Sequence, residues 1–265
     1  MNRALFRFLW VRHWWTCALC LLPPLGLGLI MGVVYPLFER EKKAFAGVFN
    51  FMRRYFPELP DFFSPAGAFV WPFMHPMTLV CLALAPAIPL LGLPAGERGT
   101  KSLDLLLATP LGRGPLVGTL VSFAVPVSAC VGLAAWIGTL GGAAVAGRAD
   151  DVPVLAYGLV ALNATAMSVM LGSLVLVFSV IGRDRAHASI LYAAAVIMFF
   201  MADTVGGLWR GGAWIRTLTP LGYYDPSTIA TEKADGLGTD LLVLFGIAIV
   251  LWIIAWRLQE RRRTA

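Results

Sequence analysis

Six long apolar stretches occupy most of this 265-residue chain, and no Asp, Glu, Lys or Arg lies in their interiors. About 20 apolar residues in a helix cross the roughly 30 Å hydrocarbon core of a bilayer. Each stretch is expected to be helical, because backbone groups in lipid must find their hydrogen bonds within the chain. The stretches cover residues 14–38, 69–93, 116–140, 152–181, 188–208 and 239–256. The sequence therefore predicts an all-α polytopic membrane protein with six transmembrane helices in one domain, residues 1–265.

The composition excludes an ordinary soluble domain. The chain is 58% hydrophobic and 14% charged, with a mean hydropathy of +0.76, whereas soluble domains are about 45–50% apolar and about 25% charged. The net charge of +6 is interpreted as basic loops facing the anionic cytoplasmic leaflet, and not as a nucleic-acid site. We therefore expect a multi-pass protein of the cytoplasmic (inner) membrane, in contact with membrane lipid.

The distribution of Lys and Arg predicts the orientation. With both termini in the cytoplasm, basic residues outnumber acidic ones on the inner side, as the positive-inside rule requires. The inner basic residues are Arg3, Arg7, Arg12, Arg98, Lys101, Arg113, Arg183, Arg185, Arg257, Arg261, Arg262 and Arg263. The first outer loop departs from the rule, because it carries Arg40, Lys42, Lys43, Arg53 and Arg54. Glu39, Glu41, Glu58 and Asp61 offset most of that charge.

Two segments beside the spans have the pattern of interfacial helices. In residues 1–13, apolar side chains such as Leu5, Leu9 and Trp10 stand among arginines, which suits a helix lying on the cytoplasmic surface. Residues 40–56 place apolar side chains at helical spacing with basic residues between them. This second segment is either an outer-surface cap or a helix that contacts substrate.

Glycine and proline patterns mark close packing and bends. Gly28 and Gly32 form a small-xxx-small face, which favours close approach of another helix. The second span is expected to be kinked, because each proline removes a backbone donor. Its prolines are Pro72, Pro76, Pro86 and Pro89. The glycine-rich run 206–226 is either an interfacial anchor or a partly re-entrant segment.

Between the second and third spans, the sequence predicts a short amphipathic helix at residues 100–108. Thr100 can cap it, and Pro110 ends it, because the residue before a proline disfavours the helical conformation. Its apolar ridge consists of Leu103, Leu106 and Leu107, and the charges around it are Glu97, Arg98 and Asp104. Such a helix fits either the groove of a soluble partner or the membrane interface.

The run Gly99-Thr-Lys101-Ser102 is not a phosphate-binding loop. That motif needs Gly directly before Lys and another Gly five residues earlier, and here Thr100 precedes the lysine. The chain is therefore expected to bind no nucleotide itself. No paired CxxC and no HExxH motif predicts a metal site.

The segment resembles the cytoplasmic coupling region of type-2 ABC (ATP-binding-cassette) exporter permeases. The matching positions are Gly96-Glu97, Gly99-Thr100, Leu103 to Leu107, Thr109-Pro110 and Arg113. The family's acidic residue soon after Gly-Thr is delayed to Asp104, with Lys101 and Ser102 intervening. Residues 218–226 are also similar to a stretch before the last span in some branches of that family.

The resemblance implies a half-transporter that is not an enzyme. Two such subunits, in a homodimer or a heterodimer, would form the translocation path. A nucleotide-binding ATPase subunit would dock on residues 100–108, use ATP and Mg²⁺, and switch the permease between states. The expected docking residues are Glu97, Arg98, Thr100, Leu103, Asp104, Leu106 and Leu107.

Three polar residues lie in the fourth span, Asn163, Thr165 and Ser168. They either hydrogen-bond between helices, worth roughly 0.6–2 kcal/mol each, or line a polar path. Asp203 and Asp240 lie near span ends, so no interior carboxylate or base indicates an ion-coupled transporter.

Two other functions stay open at this point: an integral membrane lipid-modifying enzyme, and a non-transporting assembly factor on the same fold. The enzyme needs a cluster of His, Asp or Glu at the membrane edge, and the sequence indicates none. We therefore expect no catalytic residues in this chain. No residue selects among drug, ion, lipid, peptide and polysaccharide cargo.

Overall fold

The computed structural model describes residues 2–55, 61–96, 113–231 and 234–261, and these residues are almost entirely helical, with no strand among them. The helices are α1 (Arg3–Arg40), α2 (Lys42–Tyr55), α3 (Pro65–Met74), α4 (Pro76–Leu91), α5 (Arg113–Val145), α6 (Val154–Ile181), α7 (Arg185–Leu208), α8 (Trp214–Thr217), α9 (Pro226–Ala230) and α10 (Leu237–Arg261). Among the described helices, six are long and apolar enough to cross a membrane. The predicted all-α, six-span architecture is confirmed.

Helices α1 and α5 run parallel along their length. Toward one end, Phe6 in the first turn of α1 and Phe123 in the third turn of α5 meet edge to face, with ring centroids 5.6 Å apart. At the other end, Glu39 in the last turn of α1 forms an ion pair with Arg148, which follows α5. Spans one and three therefore cross the bundle in the same direction, as the order of a six-span chain requires.

Glycines on both helices allow this close approach. A Cβ on Gly28 would lie 2.7 Å from the carbonyl oxygen of Gly138, and a Cβ on Gly32 would lie 2.8 Å from the Cα of Gly142. The small face predicted on α1 is confirmed, and its partner is a second Gly-xxx-Gly pair on α5. Backbone-to-backbone contact of this kind supports helix association where lipid removes the hydrophobic driving force.

The bundle has two ends, which we call the N-terminal face and the opposite face. At the N-terminal face, the Asn2 amide donates to Thr119 Oγ1 at 2.8 Å, and Gly96 approaches Arg185. The opposite face carries the Arg148–Glu39 pair and all of α2. Helix α7 ends at the opposite face, and after several short turns α10 begins at the same face.

The structure differs from the prediction at the N-terminus. Residues 1–13 were expected to form a separate interfacial helix, but from Arg3 onward they are the first turns of the 38-residue α1. No proline or glycine occurs before Pro23, so nothing in the sequence breaks the helix. Asn2 caps it by accepting from the Leu5 amide at 3.1 Å. A helix of this length measures about 57 Å, so its ends extend beyond a roughly 30 Å hydrocarbon core.

The second span also differs from the predicted stretch 69–93. The helical stretch that could cross the membrane begins at Pro76, and α3 is a separate helix before it. The break is at His75, whose backbone is extended (ψ 135°), the conformation favoured before a proline. The regular helix ends at Leu91, and the chain kinks in the segment Gly92–Gly96, because the backbone of Leu93 is extended (φ −133°, ψ 129°).

The other spans lie close to their predicted stretches, with ends that differ by a few residues. Span three runs on to Val145, span five begins at Arg185, and span six continues to Arg261. Helix α6 is at the centre of the bundle, where α4, α5, α7 and α10 pack around it. Most of the surface of α7 and α10 is exposed in the single chain.

Candidate functional site

The predicted coupling segment lies outside the described residues. Glu97, Arg98, Thr100, Leu103, Asp104, Leu106 and Leu107 all fall between Gly96 and Arg113, so their expected docking role stays a prediction. What the structure describes is where the segment begins and ends. It leaves α4 and enters α5, and both of these points are at the N-terminal face.

The end of α4 is held by a serine of α6. Ser179 Oγ donates to the Leu90 carbonyl at 2.8 Å and accepts from the Ala95 amide at 3.2 Å. The second bond reaches into the kinked segment Gly92–Gly96, and Ser179 is completely buried. The last residues before the predicted coupling segment are therefore hydrogen-bonded to the central helix. No spacing in the sequence pointed to Ser179.

A second polar junction lies deeper in the bundle. Ser168 on α6 is completely buried, and its Oγ donates to the Leu82 carbonyl of α4 at 2.8 Å. It also lies 2.9 Å from the hydroxyl of Ser128 on α5. Three spans therefore meet at one hydroxyl. The sequence drew attention to Ser168, but not to Ser128.

Thr165 lies one turn before this junction and is half-buried. Its hydroxyl donates to the Ala161 carbonyl of its own helix at 2.8 Å. The same side chain faces Gly132 of α5, where a Cβ would lie 2.6 Å from the Ala161 oxygen. Thr165 therefore lies at a close approach between α5 and α6.

Asn163 joins α6 to the loop that precedes the last span. Its side chain is completely buried, and Nδ2 donates to the Tyr223 carbonyl at 3.0 Å. Its Oδ1 has no hydrogen-bond partner among the described residues. Since α6 begins at Val154, a rise of 1.5 Å per residue places Asn163 about 14 Å inside the bundle.

The loop therefore dips into the bundle, as the partly re-entrant interpretation of residues 206–226 expects. Tyr224 is buried, and its hydroxyl donates to the Phe73 carbonyl of α3 at 2.8 Å. Burial raises the pKa of the Tyr224 phenol, so the group stays neutral and remains a donor. Of the two interpretations of this run, interfacial anchor or partly re-entrant segment, the contacts favour the second, because Tyr223 is hydrogen-bonded to α6 and Tyr224 to α3.

A cleft of about 430 Å³ opens beside this loop. It is lined by Gly206, Gly207, Arg216, Gly222, Tyr223 and Asp225, among others. Arg216 Nε lies 3.0 Å from Asp203 Oδ1, which joins the loop to the end of α7. The described parts of the chain contain no group of three or more His, Cys, Asp or Glu residues that could hold a metal ion.

These features define a class. A bundle of six apolar helices, with polar junctions along its central span and a loop inserted from one face, is a multi-pass membrane protein. The family model described as "Multidrug efflux system permease Rv1217c, C-terminal domain" matches residues 12–257. The chain belongs to this family and is a transport permease, which favours a transport subunit over a lipid-modifying enzyme. Comparisons with curated proteins and with solved structures find no match.

Proposed function

We propose that this chain is the transmembrane subunit of an ATP-binding-cassette exporter, driven by a separate ATPase subunit that binds ATP and Mg²⁺. Two observations support the proposal. The chain belongs to a family of multidrug efflux permeases, and residues 96–113 carry the motif that resembles the coupling region of type-2 ABC exporter permeases. The family match supports a transport function, and the motif supports a separate ATPase subunit as the partner.

The ATPase would dock on residues 100–108 at the N-terminal face. This segment is continuous with α4 and α5, and Ser179 hydrogen-bonds the end of α4 to α6. A push on the segment would therefore reach three spans through covalent and hydrogen-bonded contacts. No chemical step in this chain is needed, because the free energy enters as a displacement of this segment.

The orientation follows from charge. The described N-terminal face is rich in Arg, with Arg3, Arg7, Arg183, Arg185 and Arg261 exposed there. Basic residues of this kind are retained in the cytoplasm. We therefore place both termini, and residues 97–112, on the cytoplasmic side of the inner membrane.

A second permease half would complete the path, either another copy of this chain or a related one. Asn163, Thr165 and Ser168 follow one another along the central span. In the single chain, Asn163 and Ser168 are completely buried and hydrogen-bonded to other elements. We therefore propose that these groups border the route of the cargo in a state in which the helices around α6 have moved apart. The cleft at the opposite face lies at the outer end of such a route.

Co-purification tests the proposal. The tagged full-length chain is extracted from its native membrane in mild detergent, and the proteins that accompany it are identified by mass spectrometry. An ABC-type ATPase is expected among them. Leu103→Asp combined with Leu106→Asp should remove it, because two charges replace the apolar ridge.

Leu218→Asp is the matched control, since Leu218 is exposed at the opposite face and should leave the ATPase bound. Equal ATPase recovery with the double variant and with the original chain would contradict docking at this segment. Recovery of no ATPase with the original chain would contradict the proposal as a whole.

A further inference from the structure

Helix α2 carries a charge pattern that the transport account does not use. Its 14 residues include four basic side chains, at Lys42, Lys43, Arg53 and Arg54, and no acidic one. It follows α1 at the opposite face, which is the outer face in the orientation proposed above. Basic residues are normally scarce on that side, so their concentration in one helix requires a cause.

The apolar side of α2 is only partly covered by the rest of the chain. Phe49 packs on Phe62 and Phe63, with ring centroids 4.9 Å and 5.1 Å away. Phe45, one turn before Phe49 on the same side of the helix, packs on Phe38 with ring centroids 5.2 Å apart. Further round the helix, Val48 is 56% exposed and Phe51 is 63% exposed. Half of the apolar face is therefore packed on an aromatic cluster, while the other half is available to the surroundings.

The acidic residues that offset this charge lie outside α2, and one of them is paired elsewhere. Lys42 and Lys43 are exposed, and the Lys42 ammonium lies 5.4 Å from the centre of the Phe63 ring. Glu39 is paired with Arg148, whereas Glu41 and Asp61 are exposed beside the helix. The helix itself therefore presents only basic charge to its surroundings.

We propose that α2 is a bilayer-surface helix that binds anionic lipid headgroups. A helix that has an apolar face and basic flanks, and is too polar overall to span the bilayer, lies in the interface with its apolar side among the acyl chains. Val48 and Phe51 supply that contact, and the lysines meet the phosphate layer. Its connection to α1 through Glu41 keeps α2 at the membrane edge. This inference goes beyond ATP-driven transport and does not require an ATPase.

The test uses the full-length chain in nanodiscs of two compositions, pure phosphatidylcholine and phosphatidylcholine with about 30% phosphatidylglycerol, the anionic lipid. Hydrogen–deuterium exchange is followed in the peptides covering residues 42–55. We expect slower exchange in the anionic nanodiscs. At about 1 M NaCl, where the Debye length falls to about 3 Å, this difference should disappear.

Two variant pairs separate charge from structure. Lys42→Gln with Lys43→Gln should weaken anionic attachment roughly 30-fold, because each basic residue near such a surface is worth about fivefold. Lys42→Arg with Lys43→Arg should restore it. The same exchange rate in both nanodiscs would overturn the proposal, as would a lipid effect that survives in the Gln pair. Exchange in α6 serves as the check that each variant is folded.

Discussion

Asn163 Nδ2 donates a hydrogen bond to the backbone carbonyl of Tyr223, 3.0 Å away and sixty residues further along the chain. The bond ties the loop before the last span to the centre of the bundle. Because Asn163 is completely buried, the loop must descend from the opposite face to reach it. If transport requires the loop to move, this contact must break and form again.

Replacing this donor should loosen the loop. Asn163→Leu keeps the volume but leaves the Tyr223 carbonyl without its donor, which is worth about 1 kcal/mol, or roughly fivefold in local opening. Hydrogen exchange of residues 220–226 should accelerate by about that factor. Thr165→Val is the control, because its hydroxyl bonds only within α6. Equal exchange in the two variants would contradict the assigned contact.

The glycine contact between α1 and α5 should tolerate no added methyl group. Gly28→Ala and Gly142→Ala place a Cβ against facing backbone, and overpacking of this kind costs about 1–3 kcal/mol. Thermal unfolding in detergent should show both variants destabilised. Gly26→Ala is the matched control on α1, since its Cβ would meet nothing within 4 Å. A control that lost as much stability as Gly28→Ala would disprove the explanation.

The junction between α3 and α4 should be sensitive to acid. His75 Nδ1 accepts from the Met77 amide at 3.2 Å, which requires the neutral ring, and burial lowers the pKa of His75. The unfolded state then binds protons more readily, so stability is lost as the pH falls below about 6.5.

His75→Asn keeps a side-chain acceptor and removes the titration. Between about pH 7.5 and about pH 5.5, the unfolding temperature of the original chain should fall more than that of His75→Asn. Both chains contain His13 and His187, so the difference between their shifts in unfolding temperature reports the contribution of His75 alone. Parallel curves would show that His75 does not contribute.

Single cysteines should report the proposed orientation. Asp104→Cys should react with a membrane-impermeant maleimide only after the membrane is opened, and Asp150→Cys should react in intact cells. The four native cysteines are free thiols, so both substitutions are made in a chain in which these cysteines have been replaced, and that Cys-free chain provides the blank. Labelling of position 104 in intact cells would place the predicted coupling segment outside the cytoplasm and would contradict the proposed orientation.

The number of spans could be predicted from the sequence, because hydrocarbon thickness fixes the length of an apolar helix. The boundary of the second span could not. Any of four prolines in this stretch could begin or bend a helix. Only the extended backbone of His75 shows that the span begins at the next residue, Pro76. The continuity of the first thirteen residues with the first span could not be predicted for the opposite reason, since composition alone gives no boundary when no proline or glycine interrupts the helix.

Contacts between residues that are far apart in the sequence also could not be predicted. Gly28 and Gly32 predicted a close approach of another helix, but its partner on α5 is identified only in the structure. Ser168 stood out as a polar residue in a span, whereas Ser128 and Ser179 were not recognised. The coupling motif was recognised from the sequence and lies outside the described residues, so it remains a prediction.

Reconstitution tests the central claim most directly, that this permease moves cargo only when a separate ATPase drives it. The chain is placed in proteoliposomes alone or with its co-purified ATPase, and transport of a panel of fluorescent drugs is followed with and without ATP. The account predicts that at least one drug is transported by the complex, and only with ATP. Transport at the same rate by the chain without the ATPase would contradict it.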